Sequence, residues 1–204
     1  MQEDIHEVII LLGKLRKYVN EILPKTIGKY LSKIGLTPNG ATLIGFIFAI
    51  IAPILAYYRL YITIPIMIIL SGLMDVVDGA IARATNKTTK FGAYLDSLTD
   101  RISDMLFFLA LIFAGINPYL SIIALGFSEV VSYARSKGEL LGIKMEGVGL
   151  LERSERLILL FIASIFAVFN LKLIANIIVL VIAILGAITI YQRSSKVKKG
   201  LENH

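Results

Sequence analysis

Four aspartates stand at regular spacings in an apolar part of the chain. Asp75 and Asp78 are three residues apart, and Asp96 and Asp100 are four residues apart. On a helix each pair lies on one face, because residues three or four apart are neighbours on the helix surface. Carboxylates are costly at bilayer depth unless they are paired, hydrated or bound to a cation. The spacing therefore predicts that two facing helices present four carboxylates to a hard cation.

The residue types predict which cation this site binds. Mg2+ takes oxygen ligands and commonly shares its coordination shell with substrate phosphates, and Mn2+ accepts the same ligands. We therefore interpret the site as a Mg2+ or Mn2+ site. Its predicted metal ligands are Asp75, Asp78, Asp96 and Asp100.

Small and polar residues surround the aspartates. Gly79, Ala82 and Gly92 remove side-chain bulk beside the acids, which allows a ligand or a neighbouring helix to approach the backbone closely. The segment 83–90 (RATNKTTK) joins the two pairs and is basic and rich in hydroxyls. It suits a phosphate or the edge of a nucleotide, although a solvated loop has the same composition.

A second polar cluster follows later in the chain. Ser132 and Arg135 are three residues apart, as are Arg153 and Arg156, and Arg193 lies near the end of the last apolar stretch. The planar guanidinium of arginine can donate two hydrogen bonds to one phosphate. This cluster predicts a pocket for a substrate that carries its own phosphate. The alternative is a set of exposed ion pairs with nearby glutamates, each worth under about 1 kcal/mol.

The composition indicates a polytopic membrane protein. Of 204 residues, 56% are apolar and only 18% are charged, whereas soluble domains have about 25% charged residues. We predict an all-α fold with six transmembrane helices. The apolar stretches that predict them are 41–58, 61–74, 105–114, 118–131, 157–170 and 173–191.

Three segments are predicted along the chain. Residues 1–36 form an N-terminal amphipathic segment, because apolar residues recur there at helical spacing between charged ones. Residues 37–195 form the six-helix domain, and residues 196–204 form a basic tail. A cytosolic helix packed on a partner is the alternative for the first segment.

Basic residues predict the orientation in the membrane. Lys and Arg accumulate in cytoplasmic loops, and six spans with a cytoplasmic N-terminus place all of them except Arg59 and Lys172 on the cytoplasmic side. Both termini and the aspartates are therefore predicted to be cytoplasmic. Attraction to anionic lipids accounts for the net charge of +6, so no nucleic-acid partner is predicted.

The chain has no cysteine, which excludes disulfides and thiolate metal sites.

The spacing D-x2-D-G-x2-A-R-x8-G-x3-D-x3-D runs from Asp75 to Asp100. It resembles the signature of the CDP-alcohol phosphotransferase family. The resemblance implies a phospholipid-biosynthetic enzyme in which an acceptor hydroxyl attacks the β-phosphorus of a CDP-linked lipid and CMP leaves. It also implies two bound metal ions, Asp100 as the general base, and a homodimer.

The segment from Thr37 to Ala41 is similar to the start of the first span in this family. The residues that match CDP-contacting positions are Pro38, Asn39, Gly40, Ala41, Gly79, Ala82, Arg83 and Thr89.

Two later stretches of the sequence narrow the choice of acceptor substrate. The stretches 132–142 (SYARSKGELLG) and 149–157 (GLLERSERL) resemble the phosphatidylinositol-phosphate and archaetidylinositol-phosphate synthase branch. That branch implies inositol 1-phosphate as acceptor, bound by Ser132, Arg135, Arg153, Arg156 and Arg193. Two alternatives stay open within the family: glycerol 3-phosphate as the acceptor, or a di-inositol phosphate phosphate synthase activity.

A cation carrier using the same aspartates is the alternative from another class, but such carriers usually show repeated halves and this chain has no repeat. An inactive, binding-only relative is a third alternative, although every position of the signature is filled.

Overall fold

The computed structural model describes residues 25–85 and 88–202 of the chain. This part is all-helical, with no β-strand, which confirms the all-α part of the predicted fold class. Its seven helices are α1 (Lys25–Lys33), α2 (Pro38–Tyr57), α3 (Thr63–Thr85), α4 (Lys90–Phe113), α5 (Pro118–Leu140), α6 (Arg153–Val168) and α7 (Lys172–Glu202). Most of the predicted N-terminal amphipathic segment lies outside the described residues.

Three of these helices are long and apolar enough to cross a membrane. They are α2, α3 and α7, each with at least the 20 residues or so that a crossing needs. The protein is therefore a membrane protein. Helices α4 and α5 contain charged residues of the two polar clusters, which lowers their mean hydropathy, and α6 has only 16 residues. The count of six crossings therefore stays a prediction. Helix α7 continues without a break through the predicted boundary at residues 195 and 196.

Two threonines set the starts of helices that carry the polar clusters. The hydroxyl of Thr37 accepts a hydrogen bond from the backbone N–H of Gly40, and Pro38 takes the first position of α2. The hydroxyl of Thr89 accepts from the N–H of Gly92 at the start of α4. Threonine satisfies a free N–H of the first turn, and proline lacks the N–H that would stay unpaired there. The sequence therefore fixes where α2 and α4 begin.

Helices α2 and α3 approach each other through small residues. Gly45 lies against α3, where an added Cβ would be 3.0 Å from the Cβ of Met74 and 3.3 Å from the carbonyl oxygen of Ser71. Ala41, Ala49 and other small residues of α2 are fully buried. Small side chains allow close backbone approach between membrane helices. As a result, the first turns of α2 lie beside Asp75 and Asp78.

Apolar side chains join the helices away from the polar clusters. Phe107 and Leu111 of α4, Leu160 of α6 and Ile182 of α7 are fully buried in one core. Because lipid tails are as apolar as these side chains, close van der Waals packing between the helices, and not exclusion from water, is what stabilises this core. This core holds α4, α6 and α7 together and thereby fixes the ends that carry the aspartates and arginines.

Candidate active site

The four aspartates converge between α3 and α4. Asp78 lies within electrostatic range of both Asp75 and Asp96, and Asp100 lies within range of Asp75 and Asp96. All four are partly buried. Each pair therefore lies on one helix, Asp75 and Asp78 on α3 and Asp96 and Asp100 on α4, and their role as metal ligands stays a prediction.

Arg153, at the start of α6, joins the two carboxylate pairs. Its Nη2 lies 3.0 Å from Oδ1 of Asp100, and its Nη1 pairs with Oδ2 of Asp75. Because one guanidinium contacts an aspartate from each helix, the two carboxylates point toward the same space. Arg153 thus links the aspartates to the second polar cluster.

One cavity lies between the starts of α2 and α4 and the end of α3. We call it the α2–α4 cavity; its volume is about 180 Å³. Pro38, Asn39, Gly79, Ala82 and Thr89 line it, as the resemblance implied for CDP-contacting positions. The other lining residues are Thr42, Asp78, Thr88, Gly92, Ala93 and Asp96.

Three of the predicted CDP-contacting residues do not line this cavity. Gly40 and Ala41 belong to the first turn of α2, and Ala41 is fully buried. The side chain of Arg83 folds back over Gly79, where an added Cβ would lie 3.1 Å from Nη1 of Arg83. Arg83 is therefore at the edge of the cavity.

A second cavity, of about 280 Å³, lies among α4, α5, α6 and α7. We call it the arginine cavity. All five predicted acceptor residues line it: Ser132, Arg135, Arg153, Arg156 and Arg193. Asp100 also lines the arginine cavity, and Asp96 lines both cavities. The two cavities therefore meet at the aspartates.

Arg156 forms a buried ion pair. Its Nε lies 2.8 Å and its Nη2 2.5 Å from Oδ2 of Asp104, and both side chains are almost fully excluded from solvent. The alternative of exposed ion pairs with nearby glutamates is therefore wrong for Arg156. Asp104, one turn beyond Asp100, connects α4 to α6 through this pair.

Arg193 is bound mainly by backbone carbonyls. It donates from Nε to the oxygen of Val148 at 2.8 Å and from Nη1 to the oxygen of Val131 at 2.6 Å. Its Nη2 lies 3.7 Å from Glu152. Arg193 thus links α7 to α5 and to the loop between α5 and α6. These hydrogen bonds shape one wall of the arginine cavity.

Comparison with known proteins identifies the family. Residues 35–190 match the CDP-alcohol phosphatidyltransferase family. The chain belongs to this family. The predicted family and its enzymatic class are therefore confirmed.

Several relatives in this family cover nearly the whole chain. The archaetidylinositol phosphate synthase of Pyrococcus horikoshii is 38% identical over 94% of this chain and 99% of its own length. The phosphatidylinositol phosphate synthase of Streptomyces avermitilis is 31% identical over 92% of this chain and 85% of its own length. This chain is similar to both along most of its length.

Solved structures of one family member share the fold. The phosphatidylinositol phosphate synthase of Mycobacterium tuberculosis with CDP-DAG bound has a TM-score of 0.74 and 29% identity, covering 85% of this chain and 92% of that chain. The same enzyme in complex with manganese and citrate also has a TM-score of 0.74 and 29% identity, covering 85% and 88%. The helical arrangement is therefore that of the family.

The aspartates fit a divalent cation by their chemistry. Carboxylate oxygens are the ligands that Mg2+ and Mn2+ take in proteins, and these four converge from two helices. In residues 25–85 and 88–202, however, no three acidic or histidine side chains stand close enough to form a ready-made metal group. The guanidinium of Arg153 lies between Asp75 and Asp100 and contacts both.

Sequence reasoning missed several polar residues of the site. Thr42 donates a hydrogen bond to Asp78 at 2.6 Å, and Ser97, Arg101, Ser136 and Glu139 line the arginine cavity. A signal for Thr42 exists, since it lies one helical turn after Pro38. Ser97 lies three residues before Asp100, Ser136 four after Ser132 and Glu139 four after Arg135, so the same helix faces could have indicated these three.

Proposed function

We propose that this protein transfers a phosphatidyl-type group from a CDP-linked lipid alcohol to inositol 1-phosphate and releases CMP. One observation carries the proposal: two cavities of different chemistry meet at the aspartates, and Asp96 lines both. A reaction with two substrates needs two binding sites that open on one reactive centre. The synthase relatives and the CDP-DAG-bound structure support the choice of substrates.

The α2–α4 cavity is the proposed site of the CDP group. Gly79 and Gly92 leave its walls without side-chain bulk, so that the nucleotide can lie against the backbone. Arg83, at its edge, supplies a positive charge for a phosphate. The proposed contacts are the implied residues that line the cavity or its edge, namely Pro38, Asn39, Gly79, Ala82, Arg83 and Thr89.

The aspartates are the proposed metal ligands. Asp75, Asp78, Asp96 and Asp100 would hold two divalent ions, Mg2+ or Mn2+; a manganese-containing relative supports this. Bound divalent cations neutralise the charge of a diphosphate that is being cleaved. The aspartates thus place the diphosphate of the donor at the junction of the two cavities.

The arginine cavity is the proposed site of the acceptor. Arg135, Arg153 and Ser132 hold the phosphate of inositol 1-phosphate, while Arg156 and Arg193 shape the cavity. Asp100 lies in this cavity and takes the proton of the attacking hydroxyl. The acceptor oxygen forms a bond to the β-phosphorus, the bond from this phosphorus to the bridging oxygen breaks, and CMP leaves with that oxygen.

We also propose the arrangement in the membrane. Helices α2 to α7 make six crossings, both termini and the active site face the cytoplasm, and two copies form a homodimer. The proposal is supported by the distribution of basic residues and by family resemblance. The division into an N-terminal juxtamembrane segment, a six-helix domain and a basic tail belongs to the same proposal.

A competition assay tests the acceptor. Purified protein is incubated with CDP-diacylglycerol or CDP-archaeol, Mg2+ or Mn2+, and either inositol 1-phosphate or glycerol 3-phosphate, and CMP is measured. We expect metal-dependent CMP release with inositol 1-phosphate and little with glycerol 3-phosphate.

The controls of this assay separate the alternatives. Asp100→Asn should lower turnover by roughly 100-fold or more, because a positioned general base contributes 10²–10⁴, yet it should still bind CDP-lipid. Preference for glycerol 3-phosphate would favour a synthase of the same family that uses glycerol 3-phosphate as its acceptor. Ion flux into vesicles without CMP release would favour a carrier.

A further inference from the structure

Thr42 makes a direct contact with one of the proposed metal ligands. Its Oγ1 lies 2.6 Å from Oδ2 of Asp78, and the threonine is only 5% exposed. Thr42 belongs to α2 and Asp78 to α3, so the hydrogen bond crosses between helices. Both residues line the α2–α4 cavity.

The carboxylate is the better acceptor for this hydroxyl. The Thr42 hydroxyl also lies 3.1 Å from the carbonyl oxygen of Pro38, but a hydroxyl has one hydrogen. Hydrogen bonds to an ionised carboxylate are shorter and roughly twice as strong as those between neutral groups. The proton of Thr42 therefore points mainly toward Asp78.

The backbone around this contact has little freedom to adjust. Gly45, one turn after Thr42, brings α2 so close to α3 that an added Cβ would meet Met74. Since the helices cannot shift easily, the length of the Thr42 side chain sets where the carboxylate of Asp78 can lie. A side chain without the hydroxyl removes this restraint on the rotation of Asp78.

We propose that Thr42 is a positioning residue that holds the carboxylate of Asp78 in the orientation needed to bind a divalent cation. This inference rests on the proposed function. Partners that hydrogen-bond a metal ligand fix its orientation, and their loss typically lowers metal affinity or activity about 10- to 100-fold. Thr42 also connects the start of α2, which carries Pro38 and Asn39, to the proposed metal ligands. This connection keeps the proposed CDP site and the proposed metal site at a fixed relative position.

The test measures binding of Mn2+ to the full-length protein by electron paramagnetic resonance, with no substrate present. Thr42→Val keeps the shape of the side chain but removes the hydroxyl, and we expect it to raise the Kd for Mn2+ about tenfold. Thr42→Ser keeps the hydroxyl and should stay within about twofold of wild type. At saturating Mn2+, the kcat of Thr42→Val should approach the wild-type kcat. A general loss of structure would not allow this recovery.

Thr99→Val is the matched control. Thr99 is 6% exposed and lies beside Asp96 and Asp100 on α4, but its hydroxyl hydrogen-bonds backbone oxygens, those of Leu95 and Asp96. We expect the Kd of this variant for Mn2+ to equal that of wild type. An equal rise in Thr99→Val and Thr42→Val would overturn the proposal.

Three further results would also overturn it: a Kd of Thr42→Val within twofold of wild type, a tenfold rise in Thr42→Ser, or no Mn2+ binding by wild type. If Thr42→Val does not fold, Thr42→Ala removes the same hydroxyl and is judged by the same Kd. CMP release by wild type is measured in the same preparation. Binding of Mn2+ without CMP release would refute the proposed function but leave the role of Thr42 to be judged on affinity.

Discussion

The aspartates of the site differ in their surroundings. Asp78 lines the α2–α4 cavity, whereas Asp100 lines the arginine cavity and contacts Arg153. Under the proposed function, Asp78 therefore serves the donor side and Asp100 the acceptor side. The spacing in the sequence predicted that these carboxylates share a face, but it could not show which cavity each one lines. That depends on the helices that pack opposite them.

Arg135 provides a test of the acceptor site. Its side chain is 39% exposed at the edge of the arginine cavity, 3.0 Å from Glu139. We expect Arg135→Ala to raise KM for inositol 1-phosphate about 10- to 100-fold, with a smaller change in kcat. A hydrogen bond to a charged group contributes about 1.5–3 kcal/mol, and the ion pair of Arg135 with Glu139 is exposed and lies within one helix.

Lys198→Ala is the matched control for Arg135→Ala. Lys198 is also a cation on an exposed part of a helix, but it lies outside the arginine cavity, near Glu202. Steady-state kinetics with varied inositol 1-phosphate should show an unchanged KM for this variant. An unchanged KM in Arg135→Ala would remove Arg135 from the acceptor site.

At the scale of the helices, the pair of Asp104 and Arg156 connects α4 to α6. Asp100 and Asp104 are one turn apart on α4, and Arg153 and Arg156 are nearly one turn apart on α6. The two helices therefore meet through two parallel ion pairs. The pair of Asp100 and Arg153 lies at the proposed reactive site, and the buried pair of Asp104 and Arg156 fixes how α6 presents Arg153.

The buried pair predicts a large effect on stability. Asp104→Leu leaves the guanidinium of Arg156 buried without its partner, which typically costs about 3–5 kcal/mol. We expect a clearly lower Tm for this variant in detergent. The double variant Asp104→Leu with Arg156→Leu should recover much of the loss, since apolar pairs often replace buried ion pairs at little cost.

An exposed pair provides the comparison for Asp104→Leu. Glu202→Ala breaks the contact of Lys198 and Glu202, which are both largely exposed, and such pairs contribute about 0–1 kcal/mol. Its Tm should stay close to that of wild type. If Asp104→Leu lowered Tm no more than Glu202→Ala, the pair would not be what holds α4 to α6.

Helix starts could be predicted from the sequence, but the partners across helices could not. Thr37 with Pro38 marks the start of α2 because capping is a local interaction. The acceptors of Arg193 are backbone oxygens of Val131 and Val148. Every residue has a carbonyl oxygen, so no residue type marks these positions. The same holds for Asp104, whose partner depends on the rotation of α6.

At the scale of the whole molecule, both cavities lie where the starts of α2, α4 and α6 meet the ends of α3, α5 and α7. Hydropathy predicted a membrane protein because a bilayer requires long apolar helices. It identifies α2, α3 and α7 directly. For α4 and α5 the polar residues of the candidate site interrupt the apolar pattern, and α6 is only 16 residues long. Composition alone therefore does not count the crossings.

The proposed topology can be tested because the chain contains no cysteine. A single cysteine introduced at an exposed position is then the only thiol that a maleimide can label. Six crossings place Tyr58 and Tyr119 outside and Leu140 and Lys199 inside. The first three side chains are 69%, 77% and 77% exposed, and Lys199 is also exposed.

In intact cells, we expect a membrane-impermeant maleimide to label Tyr58→Cys and Tyr119→Cys, and to label Leu140→Cys and Lys199→Cys only after permeabilisation. The reason is that the loops richest in Lys and Arg stay on the cytoplasmic side. Each variant should retain CMP release, so that labelling reports the native fold. Labelling of Tyr119→Cys and Leu140→Cys from the same side would mean that α5 does not cross. Labelling of Lys199→Cys in intact cells would place the C-terminal end of α7, and with it the arginine cavity, on the outer side.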